Sequence, residues 1–169
     1  GMRATCEPMD LGDVAASVKG TMAPLARKYE VSFSTKVASD VPLVNGDYEK
    51  TTRMLENLAS NAIKFTPDGG SIELRVAYDA EARVVTLSMV DDGIGIAPED
   101  QARIFERFVQ VDSTRKYNGS GLGLALVREY GDMQGFAVSV ESELGRGSRF
   151  VITIPASAIV GEIEGEDDV

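Results

Sequence analysis

The sequence predicts an α/β (α+β) two-layer sandwich, in which helices cover one face of a mixed, mostly antiparallel sheet. Three segments carry apolar residues at spacings of three and four, which is the pattern of an amphipathic helix. Four segments of strand-like composition fall into two pairs, which predicts two β-hairpins. The 169 residues, 43% apolar and 26% charged, are enough for one globular domain. Such elements pack as one sheet with helices on one face.

The predicted elements follow one another in a simple order. The first helix runs from a capping Asp10 to Tyr29, and the second runs from about Tyr48 to Lys64 and stops at the turn of residues 67–70. The other predicted segments are a strand at 31–37, a loop at 42–47, strands at 72–76 and 85–90, a short helix at 99–105, a mobile loop at 109–121, a helix at 122–130, and strands at 137–140 and 149–154.

Composition excludes several classes of protein. Seventeen Lys and Arg against 27 Asp and Glu give a net charge of −10, which argues against a nonspecific nucleic-acid or lipid surface. The chain has no histidine, so none of its residues can supply an imidazole. Its single cysteine, Cys6, can form no internal disulfide, which favours a reducing, cytoplasmic environment. No apolar run approaches the roughly 18 residues of a membrane span, although a longer parent could be membrane-anchored.

Three polar side chains share one face of the second predicted helix. Asn57 and Asn61 are four residues apart, and Lys64 follows three residues later. An amide oxygen there could bind Mg²⁺, and the lysine could neutralise phosphate. A solvated polar face would give the same pattern, and it is the commoner explanation of these three residues taken alone.

Two glycine-rich segments carry the remaining candidates. Residues 91–95, Asp-Asp-Gly-Ile-Gly, directly follow a predicted strand, where a carboxylate can accept from an exocyclic amine such as that of adenine. A plain glycine turn is the alternative. Residues 119–124 open a predicted helix, whose N-terminal amides can bind phosphate, but the segment lacks the Gly-Lys-Ser/Thr ending of a P-loop.

In order and spacing these segments resemble the catalytic ATP-binding domain of sensor histidine kinases. Residues 57–67 are similar to the N box, 91–96 to the first glycine box, 105–108 to the F box and 119–124 to the second glycine box. The resemblance covers roughly residues 8–156. It implies the Bergerat-type fold that these kinases share with type II topoisomerase, mismatch-repair and heat-shock chaperone ATPases.

The resemblance implies a role for each matching residue. Asn61 would hold Mg²⁺, while Asn57 and Lys64 would lie beside the phosphates as catalytic residues. The adenine pocket would be formed by Asp91, which binds the amine, and by Gly93, Gly95 and Ile96. The loop and the second glycine box would add Phe108 as a lid anchor, Arg115 as a further catalytic residue, Lys116, Gly119, Ser120, Gly121, Leu122, Gly123 and Leu124.

Three positions depart from the family pattern. Asn118 stands where kinases often have a glycine, Phe136 replaces the second of two glycines, and Gly131 interrupts the preceding helix. An interior helical glycine costs about 1 kcal/mol, so we expect weaker packing and order at that helix end. None of the three removes a nucleotide contact.

The resemblance also implies a domain organisation. Residues 1–9 would be a tag remnant and a linker from a dimerisation domain, residues 10–156 the ATP-binding domain, and residues 157–169 an acidic, disordered tail. The parent would be homodimeric and this fragment monomeric. Its partners would be ATP or ADP, the dimerisation and phosphoacceptor domain, and a response regulator, with no nucleic acid.

The implied reaction transfers the ATP γ-phosphoryl group to a histidine on the separate dimerisation domain. In relatives that hydrolyse ATP, a glutamate activates water at the position of Asn57, and an amide cannot be a general base. Phosphotransfer therefore fits this chain better than hydrolysis. The alternatives are an anti-sigma-type serine kinase, a non-catalytic nucleotide sensor, and an ATPase-driven clamp, which Asn57 and the short length disfavour.

Overall fold

A computed structural model describes residues 3–107 and 123–160 of the chain. Its helices are α1 (Leu11–Lys28), α2 (Tyr48–Phe65), α3 (Pro98–Gln101) and α4 (Gly123–Gln134). Its strands are β1 (Glu7–Met9), β2 (Ser32–Val37), β3 (Leu43–Gly46), β4 (Ser71–Asp79), β5 (Val84–Asp91), β6 (Ala137–Glu143), β7 (Gly147–Ile154) and β8 (Ile159–Val160). Within these ranges, no helix has the length and apolar character needed to cross a membrane.

The main sheet has five strands in the order β2-β4-β5-β7-β6. The β2–β4 pair is parallel and the other three pairs are antiparallel, which confirms the predicted mixed, mostly antiparallel sheet. Buried residues lie opposite one another across the central strands, as in the row Leu74, Met89 and Phe150. Because alternate residues of a strand share a face, these rows form the side of the sheet that faces the core.

Helices α1, α2 and α4 form the second layer. Helix α2 contacts α1, α4 and the strands β4, β5 and β7, so it lies at the centre of the core. It begins at Asp47, whose carboxylate accepts the Lys50 N–H at 3.0 Å, and it ends at Phe65. The inward residues that the spacing predicted, among them Met54 and Leu58, are fully buried.

A second, three-stranded sheet in the order β1-β3-β8 was not predicted. It corrects three boundaries. Residues 7–9 are paired strand instead of linker, most of the expected loop at 42–47 is strand β3, and residues 157–160 continue as a short 3-10 turn and β8 instead of a disordered tail. Strands of two to four residues are too short to show a period of two in the sequence.

Two helix ends also differ from the prediction. Helix α3 stops at Gln101 instead of reaching residue 105, because the next residues form tight turns in which Glu106 N–H donates to the Arg103 carbonyl at 3.0 Å. Helix α4 extends four residues beyond Tyr130. The expected loop at 109–121 and the remainder of the tail, residues 161–169, lie outside the described residues.

The junction between α4 and β6 is closely packed, contrary to the expectation drawn from Gly131 and Phe136. Phe136 is buried, and its N–H donates to the Gly131 carbonyl at 2.8 Å. A Cβ on Gly131 would lie 2.8 Å from the Phe136 carbonyl oxygen, closer than carbon and oxygen normally approach. Gly131 therefore makes room for the chain to turn back against the helix. Asn118 lies outside the described residues.

Candidate functional site

The polar face of α2 forms the floor of the candidate site. Asn57, Asn61 and Lys64 are all partly buried there, and the helical rise spreads them over about 10 Å. The Nδ2 atom of Asn61 is buried and has no hydrogen-bond partner among the described residues. Burial lowers the pKa of Lys64, whose Nζ lies 5.8 Å from the centre of the Phe65 ring. These side chains do not behave as a freely solvated face.

Asp91 ends strand β5 and faces the helical layer. It stands opposite Ile72 and Ser148 in the sheet and is 4% exposed. Its Oδ1 accepts the Gly93 N–H at 2.9 Å, whereas its buried Oδ2 has no partner in the described part of the chain. Burial raises the pKa of Asp91 to about 6, although the Gly93 and Ser148 N–H groups favour the charged form. The site thus holds an acceptor that lacks a donor.

The glycines after Asp91 bring this strand end against the end of α2. A Cβ on Gly93 would lie 2.0 Å from the Phe65 carbonyl oxygen, and the Ile94 N–H donates to that oxygen at 3.0 Å. Gly95 has φ +78°, and its Cβ would lie 2.2 Å from the Glu143 carbonyl oxygen. Only glycine fits at either position. Asp91 is therefore held beside the turn of α2 that carries Asn61 and Lys64.

The hydroxyl groups of Ser142 and Ser148 form hydrogen bonds beside the strand end. Ser142 Oγ accepts the N–H of the buried Ile96 at 2.8 Å, donates to the Gly147 carbonyl at 2.8 Å, and lies 2.8 Å from Ser148 Oγ. Sequence reasoning did not assign these two serines to the site. The sequence signals for them are the resemblance, which extends through Ser142, Gly145, Gly147, Ser148 and Phe150, and their position beside the glycines of the last hairpin.

The start of α4 approaches the other end of the same α2 face. A Cβ on Gly123 would lie 3.9 Å from Asn57 Cγ. Between the two helices lies a cavity of about 250 Å³, which is lined by Asn57, Arg107, Gly123, Ala125, Leu126 and Glu129. Arg107 Nη2 and Glu129 Oε2, which line this cavity, are 3.0 Å apart. Neither residue was among the predicted site residues. Leu124 packs against the core.

The structure therefore brings together Asn57 and Gly123 at one end of the α2 face, and Asn61, Lys64, Asp91, Gly93, Gly95 and Ile96 around the other. The remaining predicted residues lie outside the described part of the chain: Phe108, Arg115, Lys116, Gly119, Ser120, Gly121 and Leu122.

The donor groups are suited to a divalent cation only with help from a ligand. No group of three or more His, Cys, Asp or Glu side chains in residues 3–107 and 123–160 could hold a metal ion. Asn61 offers a neutral amide oxygen on the α2 face. Mg²⁺ commonly takes one or two protein ligands and completes its shell with phosphate oxygens and water, so Asn61 fits that role.

Comparisons with known proteins agree with this geometry. A family model described as histidine kinase-, DNA gyrase B-, and HSP90-like ATPase matches residues 46–158. The chain is 33% identical over 161 residues to the circadian input-output histidine kinase CikA of Synechococcus elongatus, covering 93% of this chain and 21% of that protein. It is 33% identical over 146 residues to the sensor histidine kinase WalK of Bacillus subtilis, covering 85% of this chain and 23% of that protein.

Solved structures extend the comparison to the fold. Full-length ShkA, crystallised with AMPPNP, matches with a TM-score of 0.82 at 33% identity, covering 95% of this chain and 33% of that one. The mycobacterial sensor histidine kinase MprB matches with a TM-score of 0.73 at 28% identity, covering 88% of this chain and 97% of that one. The chain spans about a fifth of the length of the two curated relatives.

Proposed function

The chain belongs to the histidine kinase-, DNA gyrase B- and HSP90-like ATPase family, as an ATP-binding domain of the sensor histidine kinase type, and we propose that it serves as the catalytic domain of a longer kinase. In this proposal the domain spans residues 10–156, preceded by β1. It binds Mg-ATP and transfers the γ-phosphoryl group to a histidine on a separate dimerisation domain. That domain would pass the phosphoryl group to a response regulator.

The observation that carries the proposal is the Oδ2 atom of Asp91, which is buried and has no partner in residues 3–107 and 123–160. A buried carboxylate oxygen without a donor is costly, so the site is suited to a ligand that brings an N–H group. The exocyclic amine of adenine is such a group. Gly93 and Gly95 let the strand end pack directly against the backbone of Phe65 and Glu143, which fixes Asp91 in position for such a ligand.

The other end of the α2 face supports the proposed phosphate position. The N-terminus of α4 directs backbone N–H groups and the positive end of the helix dipole towards the region of Asn57. Lys64 adds a positive charge on the same face. In the proposal, Asn57 orients the phosphates by hydrogen bonding, and Lys64 stabilises the charge that develops on the transferring group.

Asn61 would hold Mg²⁺ through its amide oxygen. It lies between Asn57 and Lys64 on the polar face of α2. The ion would neutralise negative charge on the triphosphate, which is the main catalytic requirement of phosphoryl transfer. The side chain is already partly buried, and its Nδ2 atom has no partner among the residues that the structure describes, so it is held within the site instead of extending into water.

The chain's own residues favour transfer over hydrolysis. Asn57 has no basic group that could activate water, and the chain contains no histidine to accept the phosphoryl group. We therefore infer that the dimerisation domain supplies both the acceptor and the base. A serine kinase of the anti-sigma type, or a nucleotide sensor without catalysis, are the alternatives that the experiment below distinguishes.

Phosphotransfer with γ-labelled ATP and magnesium tests the proposal. The chain alone should neither label itself nor turn over ATP quickly, whereas added dimerisation domain of the parent should acquire an acid-labile, base-stable label. Asn61→Ala should abolish the label and Lys64→Ala should slow it roughly a hundredfold, because each removes charge stabilisation of the transferring group. Lys36→Ala, on the exposed edge strand β2, is the matched control and should label normally.

Three outcomes would contradict the proposal. Fast ATP hydrolysis by the isolated chain would indicate an ATPase. An acid-stable label on a partner serine would indicate a serine kinase. ATP binding without labelling of the dimerisation domain would indicate a nucleotide sensor.

A further inference from the structure

We infer that Gln134, at the last turn of α4, is a positioning residue that fixes the start of the same helix against Asn57. The inference rests on the proposed function, because it concerns the phosphate end of the proposed nucleotide site. It adds a residue that contacts neither the cavity nor the α2 polar face.

Gln134 uses both ends of its amide to join α4 to the beginning of α2. Its Oε1 accepts the Asp47 N–H at 2.7 Å and the Thr51 hydroxyl at 3.1 Å. Its Nε2 donates to the Tyr130 carbonyl at 3.1 Å, one turn earlier in α4, and weakly to the Met54 sulfur of α2 at 3.6 Å. The side chain is therefore held in place by its own helix while it binds two donors of the other helix.

Those two donors belong to a well-anchored part of α2. Asp47 is the N-cap, and its carboxylate accepts the Lys50 N–H at 3.0 Å and the Thr5 N–H at 2.8 Å. Thr51 is fully buried. A Cβ on the preceding Gly46 would lie 3.2 Å from Gln134 Oε1, so the backbone approaches Gln134 closely there. Gln134 thus binds the start of α2, which is held in place by these other contacts.

Helices α2 and α4 lie side by side and antiparallel. The start of α4, Gly123, is beside Asn57 in the middle of α2; Gly131 is beside Met54; and Gln134 is beside Thr51 and Asp47 at the beginning of α2. Gln134 comes eleven positions after Gly123, which corresponds to about 16 Å of helix. The two helices therefore share a contact from the proposed phosphate site to the α2 cap.

Between these two ends, the Tyr130 ring of α4 lies 5.1 Å from the Nζ atom of Lys50 in α2, and the other described contacts are less directional than the bonds of Gln134. Gly131 presents no side chain to α2, and its neighbour Met54 is a flexible side chain whose only described polar contact is the weak bond from Gln134 Nε2 to its sulfur. Apolar contact is not directional, whereas hydrogen bonds are. Sliding or rotation of α4 would break the bonds of Gln134, so these bonds select the position in which Gly123 faces Asn57.

Gln134→Met tests the inference, because methionine keeps the length and apolar volume but replaces the amide oxygen that binds Asp47 N–H and the Thr51 hydroxyl with a weakly accepting thioether. We expect the dissociation constant for Mg-ATP to rise about three- to tenfold, as the fraction of molecules with a correctly placed α4 falls. The dissociation constant for adenosine, followed by NMR titration, should change less than about twofold, because adenosine has no phosphate to reach α4. Gln134→Glu keeps the acceptor and should restore most of the ATP affinity.

Two further variants separate positioning from stability. Val76→Ala removes buried volume from strand β4, away from the α2–α4 contact, and should destabilise the fold without changing the ratio of ATP to adenosine affinity. If Gln134→Met does not fold, Thr51→Val removes one of the two bonds to Oε1 and should change the same ratio in the same direction.

An unchanged ratio in a folded Gln134→Met or Thr51→Val chain would overturn the inference while leaving the proposed function intact. An equal change of the ratio in Val76→Ala would also overturn it, because the effect would then follow stability. Failure of the unaltered chain to bind ATP would instead contradict the proposed function, and the positioning role with it.

Discussion

Asp91 combines a cost for folding with a role in binding. Its folded pKa of about 6 lies above the 3.8 of an ordinary aspartate, because burial disfavours the charge. Because the folded chain binds this proton more tightly than the unfolded chain, protonation of Asp91 contributes to the free energy of unfolding. That contribution is fully present below about pH 4 and is lost as the pH rises through about 6. At neutral pH the folded chain therefore carries an ionised acceptor that a ligand can satisfy.

Asp91→Asn should change stability and binding in opposite directions. The amide keeps an acceptor for the Gly93 N–H but carries no charge, so we expect the free energy of unfolding at pH 7 to rise by about 1–3 kcal/mol. ATP affinity should fall by about 1–3 kcal/mol, because the amide can present a donor to the adenine amine. Urea unfolding between pH 4 and 7 and ATP titration measure the two effects.

The exposed neighbour provides the control for that variant. Asp92→Asn also removes one negative charge, and it keeps an acceptor for the Ser71 N–H, which Asp92 Oδ1 now binds at 2.8 Å. We expect little change in ATP affinity from it. Equal effects of the two substitutions would mean that general charge, not the buried oxygen of Asp91, governs binding.

Single residues also show how far the sequence could predict the site. Asn57, Asn61, Lys64, Asp91, Gly93 and Gly95 are recognisable because they lie in short segments with fixed spacing. The contacts of Gln134, Ser142 and Ser148 are not recognisable in this way. Gln134 is 87 residues from Asp47, and Ser142 is 46 residues from Ile96. The contact between Ser142 and Ser148 depends on the strand register. Such contacts exist only after the layers have packed.

The α4–β6 junction shows the same limit at the level of an element. Helix propensity alone assigns Gly131 a cost, and the family pattern suggests that Phe136 disturbs the turn. The structure shows why a glycine stands there: the backbone at Phe136 returns so close to α4 that a side chain at Gly131 would meet the Phe136 carbonyl oxygen. Helix propensity describes an isolated helix, whereas the need for glycine at position 131 comes from a tertiary contact.

A pair of glycine substitutions tests this explanation. Gly131→Ala should destabilise the fold by about 1–3 kcal/mol, because a new Cβ would meet a backbone oxygen at 2.8 Å, despite the better helix propensity of alanine. Gly20→Ala, inside α1 with nothing within 4 Å of its Cβ, should stabilise it by about 0.5–1 kcal/mol. Thermal or urea unfolding measures both. A gain in stability from both substitutions would refute the tertiary explanation.

The small β1-β3-β8 sheet is the element that the sequence could not predict. Its strands come from residues 7–9, 43–46 and 159–160, and none is long enough to show alternation. It brings both ends of the described chain to the beginning of α2. Thr5 N–H donates to the Asp47 carboxylate there, so the segment before α1 is tied to the α2 cap.

At the scale of the whole molecule, α2 connects the described parts of the proposed nucleotide site. Its end holds the Gly93 segment through the Phe65 carbonyl, its middle faces the start of α4, and its N-cap is bound by Gln134. The fold class was predictable because amphipathic periods and hairpins define layers. The alignment of those layers, which places Asp91 and Gly123 on one α2 face, required the three-dimensional structure.

Isothermal titration of the unaltered chain with ATP and with GTP, both with magnesium, tests the proposed site most directly. Adenine offers its amine to Asp91 Oδ2, which has no donor in the described part of the chain, whereas guanine has a carbonyl at the corresponding ring position, so two acceptors would oppose each other. We expect ATP to bind with a dissociation constant on the order of micromolar, and GTP to bind at least about tenfold more weakly. No heat with ATP at millimolar concentration, or equal affinity for both nucleotides, would contradict a nucleotide site built on Asp91.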